Sequence, residues 1–141
     1  MQNEIITENR RSIFIICGNR KKMYEMWNFF KKENSSVISD KMIVTRGEIR
    51  TTKEKAYELA DADFLMVKNF RRFYALKSSS LKEIVAGEKF QFMQIRFDYP
   101  VIIENSKPKK LLIFAGKERP TISILDTEKA LEARMKFIEV K

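Results

Sequence analysis

Apolar residues along this chain gather into short runs divided by polar turns, and the spacing inside each run predicts its element. "SIFIIC" (12–17) is a β-branched apolar run ending at Gly18 and predicts a buried strand. Asn19 stands where a helix N-cap belongs. Beyond it Met23, Met26, Trp27 and Phe30 recur at i, i+3, i+4 and i+7, one stripe of an amphipathic helix. Trp27 is expected to be largely buried there against strands 13–16 and 111–114, with Asn28, Lys31 and Lys32 on the wet side. "KMIVTRGEIR" (41–50) alternates around Gly47 and predicts a strand or hairpin bulged at the glycine. Thr51 and Glu54 have capping-box spacing and open a helix near residue 52.

From Glu48 to Ala86 there is neither glycine nor proline. A long helix could run through this stretch on the stripe Tyr57, Ala60, Phe64, Val67 and Tyr74. The apolar cluster at 64–67 and 70 instead favours a helix to about residue 61, then strands "DFLMV" and "FRRFYAL" turning at Lys68–Asn69. Ser80 and Glu83 form a second capping box for a short helix that Gly87 ends. "EKFQFMQIRFDYPVIIE", "LLIFAG" and "TISIL" predict strands. Asp126 or Thr127 would cap a last helix bearing Leu131, Met135 and Ile138. The pattern implies a flexible segment over residues 1–10. A single α+β domain over 11–141 would follow: one mixed, mostly antiparallel sheet with roughly three to four helices packed on it.

Composition narrows the function classes. At 141 residues and 44% hydrophobic content the chain can bury a core unaided. Cys17 is the only cysteine, so an internal disulfide and a thiolate zinc site are both excluded, which suits a reducing compartment. The N-terminus does not resemble a secretory signal, and no apolar stretch is long enough for a bilayer. The expected location is the cytoplasm, or the nucleus in a eukaryote. The chain contains no histidine. That removes Ser-His and Cys-His nucleophiles and histidine acid–base and metal chemistry together. No catalytic residue, metal site or cofactor is assigned, and the chain is read as more suited to binding than to catalysis.

The net charge of +9 points to a polyanionic partner. Half of the 28 Lys and Arg residues lie in three acid-free windows, 9–24, 64–82 and 105–117. The candidate nucleic-acid-binding residues come from these windows: Arg20, Lys21, Lys22, Lys68, Arg71, Arg72, Tyr74, Lys77, Lys107, Lys109 and Lys110. In "KNFRRFYALKSSS" (68–80) arginine alternates with rings, an arrangement that can stack bases and hold phosphates. The cations at 68–77 are expected to share one continuous positive surface with at least one other window.

Gly18, Asn19 and Arg20 form a strand–glycine–helix junction that could take a phosphate on the helix N-terminus. A helix-turn-helix register over residues 51–70 would put Asp61 and Asn69 in apolar positions, so it is set aside. The leading expectation is a small non-enzymatic protein that binds DNA or RNA by its backbone with low sequence specificity. An interaction module docking on an acidic protein surface is the alternative. A third reading is an enzyme for a phosphate-bearing ligand at residues 18–22.

Overall fold

Three of the apolar runs lie side by side, and each is covered on both faces. The computed structural model describes residues 2–43, 50–68, 73–76, 78–87, 90–94, 100–103, 106–124 and 132–141. Along the chain it places α1 (Gln2–Thr7), β1 (Ile13–Gly18), α2 (Arg20–Lys31), β2 (Ser35–Val37), a 3-10 turn at Asp40–Met42, β3 (Arg50–Thr51), α3 (Lys53–Asp61), β4 (Phe64–Lys68) and β5 (Phe73–Leu76). Then come α4 (Ser78–Ala86), β6 (Phe90–Gln94), β7 (Pro100–Ile103), β8 (Lys110–Phe114), β9 (Thr121–Ile124) and β10 (Met135–Val140).

The main sheet has five strands in the order β10-β1-β8-β4-β2, and every pairing in it is parallel. The expected mostly antiparallel sheet is therefore wrong: this is an α/β fold. Ile13, Ile15 and Cys17 of β1 and Leu65 and Val67 of β4 face one side. Phe14, Ile16 and Met66 face the other. Runs that are apolar at every position, rather than alternately, belong to strands with helices on both faces, and that condition goes with parallel pairing. Among the described residues antiparallel pairing is confined to β6 with β7, outside the main sheet. The small β3–β6 and β5–β9 pairs are parallel.

One face carries Ile5 of α1 and Met23, Met26 and Phe30 of α2. The other carries Ala56, Leu59 and Ala60 of α3 and Leu81, Ile84 and Val85 of α4, with Ile122 of β9 packed alongside. The first ten residues, expected to be flexible, thus contain a short helix whose Ile5 is fully buried.

Local signals hold to within a residue or two. Asn19 caps α2, its side chain accepting from the Lys22 amide at 3.1 Å. Thr52, not Thr51, caps α3 by accepting from Lys55 N at 3.2 Å. The chain leaves the helix at Ala62 and enters β4, which overturns both the long helix and the helix-turn-helix register. Ser80 lies within α4 rather than at its cap, while Gly87 ends that helix with φ +77°. The strand expected over 41–50 begins instead as the 3-10 turn at Asp40–Met42, while its bulge at Gly47 lies outside the described residues.

The last predicted helix is corrected only at its far end: residues 132 and 133 are helical, residues 125–131 lie outside the described residues, and the chain is strand from Met135. Met135–Val140 is β10, paired with β1 from Ile13↔Met135 to Gly18↔Val140. The spacing of Leu131, Met135 and Ile138 imitates a helix. The alternation of buried Ile138 and Val140 with exposed Glu139 is that of a sheet-edge strand.

Candidate nucleic-acid interface

Parallel strands share one polarity, so the sheet has a carboxyl edge and an amino edge, and several described cations of the acid-free windows divide between them. At the carboxyl edge β1 leads into α2 on one face. Its neighbour β8 leads through β9, packed on the opposite face. Connections that part to opposite faces open a crevice outside the carboxyl ends of the strands.

A groove of about 800 Å³ lies there, and α2 forms its wall. Met23, Met26 and Phe30 point into the sheet. Arg20, Tyr24, Trp27, Asn28 and Lys31, spaced i, i+4, i+7, i+8 and i+11, make a second stripe beside that buried one and line the groove with Lys21. Lys68 at the end of β4 and Phe114 at the end of β8 are register partners and line it too, with Met23 at its base. Trp27 is half-buried, its ring edge-on to Phe114 at 5.2 Å between centroids and 78° between planes. Tyr24 is 65% exposed. Four cations and three rings line the groove among the described residues, and no carboxylate does.

At the junction expected to take a phosphate, residues 18–20, two amides are already engaged within the fold. Gly18 has φ +121°, and a Cβ there would lie 2.1 Å from the Val140 carbonyl oxygen. Its amide donates to Gly116 O at 3.2 Å, and the Asn19 amide donates to Val140 O at 2.7 Å. The Lys22 amide donates to the Asn19 side chain, and the Lys22 ammonium to the Lys141 carbonyl. These bonds tie β1, α2 and β10 together and engage the Gly18, Asn19 and Lys22 amides within the fold, while the Arg20 and Lys21 side chains line the groove. Cys17 is buried beside it. Burial, with Glu139 nearby, pushes its thiol up, which is the opposite of an activated nucleophile.

The third acid-free window lies mostly at the other edge. Lys109 is 3% exposed, and its ammonium donates to Ala60 O at 3.0 Å, Ser106 Oγ at 2.9 Å and Lys107 O at 2.7 Å. Burial, and then the nearby Lys107 charge, lower it to about 8. Lys110 donates to the carbonyls of Ile5 and Ile6 at 2.5 and 2.8 Å, and burial lowers its pKa too. Lys107 pairs with Asp63 at 3.1 Å. Arg10 and Arg11 line a second cleft on that edge, where Glu8 and Asp63 also lie.

The structure thus brings Arg20, Lys21 and Lys68 together and leaves Lys107, Lys109 and Lys110 apart from them. Arg71, Arg72 and Lys77 lie outside the described residues. Tyr74 is in β5 opposite Ile122, but its side chain lies outside the description. Sequence reasoning missed Tyr24, Trp27, Asn28 and Lys31 as one wall. The signal for it was a stripe with a cation at each end and rings between, one helical position away from the core stripe. Among the described residues no group of three or more Cys, Asp or Glu side chains could hold a metal ion, and no helix is long and apolar enough to cross a membrane. No protein-family model matches the chain, and no curated protein matches it significantly, so its function has to be argued from this groove.

Proposed function

We propose that this chain is a small, non-enzymatic nucleic-acid-binding protein that holds its ligand along the α2 groove with little sequence specificity. One observation carries the reading: cations and aromatic rings line a single groove that, among the described residues, has no carboxylate in its lining. Cations on a rim neutralise phosphates, and rings offer a face to any base, so the pair favours nucleic acid without selecting a sequence. An acidic protein surface would use the cations but gain nothing from the recessed Trp27 and Phe114 rings. A buried, unpaired cysteine is compatible with work in the cytoplasm.

The test is a salt titration of oligonucleotide binding. Log affinity should fall with log salt at about −0.7 per phosphate neutralised on a single strand or −0.9 on a duplex. Arg20→Ala with Lys31→Ala should flatten the slope by one to two such increments and weaken all sequences alike. Arg10→Ala with Arg11→Ala, at the opposite edge, should leave both slope and affinity unchanged. Equal losses from the two pairs would remove the groove from the interface.

A further inference from the structure

Resting on that nucleic-acid reading, we infer that the α2 groove is a single-strand site, in which an unpaired base stacks on Tyr24 beside Trp27 while the phosphates follow Arg20, Lys21, Lys31 and Lys68. In a duplex each base face is covered by the next base pair, and only phosphates and groove edges are presented. A single strand can offer an open face to a protein ring. Tyr24 is 65% exposed and lies outside the apolar cluster that α2 buries. It sits three residues before Trp27, so the two rings are neighbours on one helix face. Trp27 cannot swing freely, because Phe114 holds it edge-on at 5.2 Å. The result is one accessible ring beside one fixed ring, inside a groove whose described charged lining is all cationic.

The size of the groove agrees. From Arg20 to Lys31 the helix rises about 16 Å at 1.5 Å per residue, and a stacked strand advances 3.4 Å per phosphate, so about four to five nucleotides match the wall. The groove's 800 Å³ is within the range that encloses a small organic ligand, which suits one or two inserted bases with the remainder along the rim.

Trp27 is the chain's only tryptophan, so intrinsic emission reports on the groove itself. The full-length chain is titrated with an oligothymidylate of about eight nucleotides, with a duplex of equal length, and with heparin. The oligothymidylate should quench Trp27 and bind more tightly than the duplex. Tyr24→Ala should weaken it by about 5- to 150-fold, the worth of one stacked base, and Tyr24→Phe should restore the affinity. Duplex affinity should change by less than about twofold in Tyr24→Ala, since stacking contributes nothing there. Equal binding of single strand and duplex with unquenched Trp27 would overturn the single-strand site while leaving nucleic-acid binding in place. Binding of heparin alone would overturn both. Because Tyr24 is exposed, loss of fold is not expected in either variant, and a circular dichroism spectrum matching the parent checks it.

Discussion

Gly18→Ala should destabilise the domain by about 2–4 kcal/mol, because three separate effects meet at that residue. Its φ of +121° lies in a region nearly closed to residues with a Cβ, a cost of about 1–3 kcal/mol. The added methyl would sit 2.1 Å from the Val140 carbonyl oxygen, and backbone atoms of β10 cannot turn away as a flexible side chain could. Moving that strand end breaks the 2.7 Å bond from the Asn19 amide to Val140 O, worth about 0.5–1.5 kcal/mol. Against this, alanine stiffens the unfolded chain and returns about 0.4–1 kcal/mol.

Urea unfolding followed by Trp27 fluorescence measures the difference. With a urea dependence of about 1–3 kcal/mol per molar, the midpoint should fall by roughly 1–2 M with unchanged slope. Oligonucleotide affinity should fall in the same variant, because α2 begins at Arg20 and its first turn carries two groove cations. A stability loss below about 0.5 kcal/mol would refute the close approach of β10 to the β1–α2 junction.

Two further outcomes follow from burial. Lys109 is lowered from 10.5 to about 8 by its enclosure, so between those values the unfolded chain holds a proton that the folded chain has released, and stability rises with pH across that window. Relative to Lys109→Met, the parent should gain on the order of 3 kcal/mol from pH 8 to 10.5 in urea melts, and a flat difference would mean a solvated ammonium. Phe14→Ala, at a fully buried site, should cost about 3–5 kcal/mol, whereas Trp27→Ala should cost only about 1–3 because Trp27 is only partly buried and borders the groove; equal losses would place Trp27 in the core.

The parts of this fold legible in the sequence are those set by neighbours along the chain. Asn19 and the Met23–Met26–Phe30 stripe fix α2, and the step from the polar Asp61–Asp63 stretch into "FLMV" fixes the end of α3 and the start of β4. Strand direction depended on contacts between distant segments. Forty-one residues separate β4 from its partner β8, and that excursion holds α4 and three small strands, so the strand–helix–strand alternation of a parallel sheet was hidden. β10 was misread for a related reason: only the presence of β1 beside it decides between the helical and the alternating pattern of "MKFIEV". The groove was half visible. Its cations at Arg20, Lys21 and Lys68 came from the acid-free windows. Trp27 had already been assigned to the core, and a ring at the border of two helix stripes belongs partly to each.

The position of each cation relative to a helix end separates structural from functional charge better than the total does. Lys110 donates to the last carbonyls of α1, and Lys109 donates to Ala60 in the last turn of α3. Neither helix carries a basic residue of its own in its last turn, so these lysines cap carbonyls at the helix ends, and burial makes their charge a cost to folding even as the hydrogen bonds are satisfied; they are built into the fold rather than offered to a ligand. At α2 the arrangement is reversed. Its first turn opens with Arg20, Lys21 and Lys22 and has no acid, so three cations stand at the positive end of a 12-residue helix. Each such placement costs about 0.3–1 kcal/mol at low salt. Lys22 finds partial relief by turning to the Lys141 carbonyl, while Arg20 and Lys21 remain on the groove. Folding alone does not favour that concentration of charge. An anion lying along the groove would reverse the sign of the interaction, so the residues that weaken the free protein are those that would hold the complex.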